Sequence, residues 1–86
     1  MTGHLPPLTA VRAFEAAARK GSVTLAADEL CVTPAAVTHQ VRSLERWLGV
    51  NLFSRKGSVL KLTSAGDTFF VGANKGIESI RFAAEQ

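Results

Sequence analysis

Ala35, Thr38, His39, Arg42 and Arg46 share one face of a helix when successive residues are turned by about 100°. They offer small size, hydrogen bonding and positive charge in a row, which is the chemistry of binding rather than of bond-making. A helix enters a DNA major groove only when its leading residues are not bulky, and Ala35, Ala36 and Thr38 meet that condition. Thr38 and His39 can reach base edges, while Arg42 and Arg46 can reach guanine or phosphate. The start of this helix, at Thr33 and Pro34, turns free amides and the positive dipole end outward, which suits a phosphate. Val37, Val41, Leu44 and Leu48 form a narrow apolar stripe on the opposite side, and Trp47 is expected to pack toward it. The bland alternative is an ordinary solvated helix face that happens to carry arginines.

Charge along the chain argues against that alternative. The 86 residues carry a net +3, but residues 1–31 are neutral, 32–62 carry +4 and 63–86 carry −1. Glu45 is the one acid of the middle block. Arg55, Lys56 and Lys61 follow the candidate helix closely and extend a localised anion-binding surface. Other chemistry is poorly supplied. Cys31 is a single cysteine, His4 sits in the leader, and no Ser/His/acid or Cys/His set converges, so neither a metal, a cofactor nor an enzyme activity is expected. No apolar run is long enough for a membrane span, and the expected compartment is the cytoplasm.

These side chains need elements to hold them. Pro6-Pro7 ends an extended leader. Leu8, Val11, Phe14 and Ala17/Ala18 recur at helical spacing up to a basic last turn and Gly21. Ser22 or Thr24 caps a second, short helix that reaches about Leu30. Thr33-Pro34 opens the third helix, which Gly49 ends after Leu48. Two short apolar segments around the Arg55–Ser58 tip predict a two-stranded hairpin over 52–62. Thr63 or Ser64 then caps a last helix to the chain end. Helices two and three lie only a few residues apart, the arrangement of a helix-turn-helix. The expected architecture is mainly α, with three helices, a small β-hairpin wing (residues 1–63) and a long linker helix (64–86). Phe70, Ala73, Ile77, Ile80 and Ala84 alternate spacings of three and four, a coiled-coil seam that predicts a homodimer. The alternative is that the seam packs only on its own domain. Gly72 and Gly76 weaken an isolated helix and suggest that another backbone comes close.

The run from Leu8 to Gly66 resembles the amino-terminal DNA-binding domain of LysR-type transcriptional regulators. The resemblance is carried by Leu8–Phe14, Ser22–Leu30 and Val32–Val41, then Leu44-Glu45, Leu48-Gly49-Val50, Leu52-Phe53-Ser54-Arg55 and Leu62–Gly66. Arg12–Ala18 and Val37–Gln40 look most like the branch holding glycine-cleavage, β-lactamase and tryptophan-synthase regulators. The resemblance implies a winged helix-turn-helix that binds double-stranded DNA as a dimer, with higher oligomers in longer relatives. It places base reading on Pro34, Ala35, Thr38 and His39, and puts Arg42 and Arg55 near the backbone. It also implies a carboxy-terminal effector domain outside this chain, which would bind any small-molecule effector. The family pattern commonly has glutamine at Pro34 and arginine at His39, Leu25 and Ser58, so two phosphate contacts are expected to be missing here. A winged-helix module that binds protein instead of DNA is the competing reading, and the +4 block speaks against it.

Overall fold

The computed structural model describes residues 4–57 and 59–86. Four helices follow one another: α1 (Leu8–Lys20), α2 (Val23–Leu30), α3 (Pro34–Leu48) and α4 (Ser64–Ala84). Their ends follow from local chemistry. The Ser22 hydroxyl accepts from the Leu25 N–H at 3.1 Å, and the Thr33 hydroxyl does the same for the Ala36 N–H at 3.1 Å. Pro34 occupies the first turn of α3, where it leaves no donor orphaned. Gly21 and Gly49 close α1 and α3 in the left-handed region, at φ +68° and +75°. Cys31 closes α2 in the same region at φ 59°, and it is the one non-glycine residue there among those described.

α1 is the centre of the packing, touching α2, α3 and α4, while α2 also packs on α3. Phe14 is fully buried, and its ring meets Phe53, Phe69 and Phe70 at centroid distances of 5.4, 5.7 and 6.5 Å. One side chain of α1 thus gathers the start of the wing and the first turns of α4. Val37, Val41 and Leu44 of α3 are buried against the same core, as their stripe requires. Trp47 is not: it is 45% exposed. Its position lies about 60° beyond the edge of the apolar stripe, so the ring sits at the boundary of the packed face rather than inside it.

The two sides of the expected wing meet at an antiparallel bridge, Phe53 with Leu62, among the described residues of the 52–62 loop. Ser54 N–H donates to the Lys61 carbonyl at 2.7 Å and Thr63 N–H to the Leu52 carbonyl at 3.0 Å, so the base of the loop is closed. Ser58 lies outside the described residues. The proposed dimer seam is divided. Ala73 is buried in its own domain, and Phe70 and Ile77 pack partly against that core, whereas Ile80 and Ala84 are exposed. Covering α1 accounts for the burial of Ala73 and for part of that of Phe70 and Ile77, and it leaves Ile80 and Ala84 open.

A polar knot joins three helices. Glu15 of α1 is 2% exposed and accepts from Arg19 Nε at 2.9 Å and from Asn74 Nδ2 of α4 at 2.9 Å. Arg19 continues to Glu29 of α2 at 2.9 Å. Burial pushes the Glu15 carboxyl up, but the hydrogen bonds from Arg19 and Asn74 outweigh it and hold the group below the usual 4.5. Hydrogen bonding to Arg19 lowers Glu29 as well. Both carboxyls therefore bind protons more weakly folded than unfolded. Their contribution to stability is present above about pH 4.5 and is lost as pH falls through the folded values. Denaturant midpoints are expected to drop on acidification in that window, and Glu15→Gln is expected to flatten the profile. Parallel profiles for the native chain and the variant would contradict this role.

Candidate nucleic-acid interface

α3 carries the face on which the sequence places recognition, and the fold leaves that face open. Thr33, Pro34, Ala35, His39, Arg42 and Arg46 are exposed and Thr38 is half-buried. Neither Arg42 nor Arg46 makes an ion pair with the described residues; those formed are Arg19–Glu15, Arg19–Glu29, Lys20–Glu29, Arg55–Glu45 and Arg81–Glu78. Two uncommitted guanidiniums one turn apart are a site for an anion, since each keeps all of its donors for a ligand.

The loop after α3 adds to the same surface. Arg42, Arg46 and Arg55 line an open polar groove of about 480 Å³ together with Gly49, Val50 and Asn51, and Glu45 is at its floor. A smaller groove of about 190 Å³ runs between Thr38, Arg42 and Arg55 and the apolar side chains Val23, Val41, Phe53 and Leu60. Arg42 and Arg55 line both. Lys56 is exposed at the tip, its N–H bonded to the Ser54 hydroxyl at 3.2 Å, and Gly57 turns the chain at φ +76°. The structure thus brings the α3 residues and Arg55 to one side of the molecule.

Sequence reasoning missed the group that organises this corner. The Glu45 carboxylate is buried and accepts from the Leu52 N–H at 2.7 Å, the Phe53 N–H at 3.2 Å and the Arg55 guanidinium. Arg55 is therefore tethered to α3 instead of free on the wing. The available signal was the isolation of Glu45 as the one acid in a block of five cations.

The model for the bacterial regulatory helix-turn-helix proteins of the lysR family matches residues 8–67. The chain belongs to the lysR family. It is 50% identical over 86 residues to the glycine cleavage system transcriptional activator homolog of Haemophilus influenzae, covering 100% of this chain and 29% of that protein. It is 62% identical over 65 residues to the transcriptional activator AmpR of Pseudomonas aeruginosa, covering 76% and 22%. The corresponding values for the regulator TrpI of the same organism are 58% over 66 residues, 77% and 22%. The lysR branch expected from the sequence is thus the one these relatives occupy. The chain spans under a third of the length of these curated relatives. Among solved structures, the BenM DBD in complex with catB site 1 DNA superposes with TM-score 0.84 at 30% identity, over 92% of this chain and 88% of that one. The CbnR DBD–DNA complex gives 0.80 at 30% identity, over 92% and 91%. The chain is accordingly a winged helix-turn-helix, with one bridge, Phe53 with Leu62, among the described residues of its wing.

Proposed function

We propose that this lysR-family chain binds double-stranded DNA as a two-fold dimer in the service of transcription regulation, with α3 in the major groove and the 52–62 loop on the backbone or in the adjacent minor groove. The observation that carries this reading is the open α3 face, on which Arg42 and Arg46 stand without ion-pair partners among the described residues. The DNA complexes of the structurally similar BenM and CbnR domains support it. Thr38 and His39 then read base edges. Pro34 and Ala35, which lack side-chain donors, offer apolar contact to a thymine methyl, and Thr33 brings the helix start to a phosphate. Arg46, Arg55 and Lys56 serve the backbone. In this reading a small-molecule effector binds outside the 86 residues, and the place of work is the cytoplasmic nucleoid. Affinity for a mixed-sequence duplex, followed by fluorescence anisotropy across a salt series, is expected to fall with a log–log slope of about −3 per protomer. A slope near zero would favour a module that binds something other than DNA.

The dimer contact is assigned to the side of α4 that carries Ala73, Ile77 and Ile80 of the expected seam. An apolar groove of about 370 Å³ opens there between the leader, α1 and α4, lined by Leu8, Gly72, Ala73, Gly76, Ile77 and Ile80 among others. Nothing lies within 4 Å of a Cβ built on Gly72 or Gly76, so a second backbone has room to approach. α4 of a second copy is the occupant this reading assigns. Ile80 is 63% exposed and has no structural task in one protomer, so Ile80→Glu is expected to weaken the dimer at least about tenfold without unfolding the chain. An unchanged sedimentation profile would contradict the assignment.

A further inference from the structure

Glu45 is a costly residue to find where it is. Its carboxylate is 6% exposed on α3, between Arg42 and Arg46 in sequence, on a surface otherwise built of cations. A buried negative charge there loses hydration and lowers the potential that would draw in a polyanion. A neutral glutamine could still accept from the Leu52 N–H, which is the shorter of the two backbone contacts. What only the charge supplies is the ion pair with Arg55.

Arg55 needs that anchor. It stands on a loop whose described residues are closed by one bridge, and Lys56 and Gly57 beyond it are exposed. Glu45 engages one amino nitrogen, Nη2, and the guanidinium's other nitrogens have no hydrogen-bond partner among the described residues. The side chain stays 43% exposed and lines the same two grooves as Arg42. The fork is therefore held at one edge and open at the other.

We propose that Glu45 is a positioning residue for DNA binding, pinning the Arg55 guanidinium beside Arg42 so that the open edge of its fork meets a backbone phosphodiester when α3 enters the groove. This inference rests on the DNA-binding reading above. It assigns to an acid a favourable effect on affinity for a polyanion, the reverse of what simple charge counting gives. Through the Leu52 and Phe53 amides the same carboxylate fixes the root of the wing to α3, so the position of Arg55 and the path of the loop are set together.

The test is a double-mutant cycle with the 86-residue chain and a labelled mixed-sequence DNA duplex, read by anisotropy over a salt series, with folding of each protein followed by circular dichroism. Glu45→Gln is expected to weaken binding by about three- to tenfold, and Arg55→Gln to weaken it at least as much while making the salt slope shallower by about one. In the Arg55→Gln background, Glu45→Gln is expected to cost nothing more, because its effect passes through the arginine. Should Glu45→Gln unfold the chain, Arg55→Lys carries the test, since it keeps the charge and removes the fork. It is expected to lose affinity with the slope unchanged. Equal or tighter binding by Glu45→Gln would overturn the inference, as would an undiminished loss in the Arg55→Gln background or full affinity in Arg55→Lys. A native chain that ignores the duplex would overturn the DNA-binding reading and this inference with it. Native binding with a silent cycle overturns only the role of Glu45.

Discussion

Gly66→Ala is expected to destabilise the domain by about 3 kcal/mol or more and to lower its melting midpoint by roughly 12 °C or more. A Cβ built on Gly66 would overlap the Leu52 carbonyl oxygen and lie 2.9 Å from Leu62 Cδ2. The leucine side chain can turn away, but the Leu52 peptide cannot. Its carbonyl accepts from the Thr63 N–H at 3.0 Å, and the Leu52 N–H is held by Glu45 at 2.7 Å. Relief therefore requires the first turn of α4 to lift from the root of the wing. That would loosen Phe69 and Phe70 from Phe14 and pull at the Glu45 clamp. A domain of this size has a total stability of only about 4–13 kcal/mol, so the loss is a large share of it. Gly72→Ala is the control at concentrations where the chain is monomeric: within one protomer the added carbon meets nothing within 4 Å, and the helix gains up to about 1 kcal/mol. A Gly66→Ala melt within a few degrees of the native one would show that α4 and the wing root are not locked as described.

Arg42→Ala is expected to weaken binding to a selected DNA site by about 1–3 kcal/mol, roughly 5- to 150-fold, with little change in thermal stability. Arg42 is exposed and makes no ion pair among the described residues, so its removal leaves the fold's contacts in place. It borders both grooves of the interface, which puts it at the junction of the α3 face and the wing. If it reads a base, the loss on the selected site exceeds that on a mixed-sequence duplex. An equal loss on both would reassign it to phosphate. No loss on either would contradict the placement of α3 against DNA.

Much of this architecture was legible because its signals are local. Thr33-Pro34, Ser22, Gly21 and Gly49 mark helix ends through bonds that span three or four residues, and the structure uses each as the sequence suggests. The α3 face was legible for the same reason, since one helix's periodicity sorts Val37, Val41 and Leu44 from Arg42 and Arg46. What the sequence hid depends on packing between elements. Glu15 takes a hydrogen bond from Asn74, 59 residues away, and Glu45 reaches across ten residues to Arg55. Neither pairing has a period or a motif. The last helix is ambiguous in sequence because its apolar spacing is the same whether it faces a partner or α1, and in one protomer Ala73 is buried while Ile80 is exposed. The need for glycine at position 66 likewise comes from the approach of the Leu52 carbonyl, 14 residues away in sequence.

The most direct measurement is selection of bound sequences from a random DNA pool by the 86-residue chain at a fixed, stated salt concentration. Enrichment of a defined site is expected, with two related half-sites about one helical turn apart or a multiple of it, as two α3 helices of a symmetric dimer require. A pool that emerges unenriched, or a chain that retains no DNA at low salt, would contradict it.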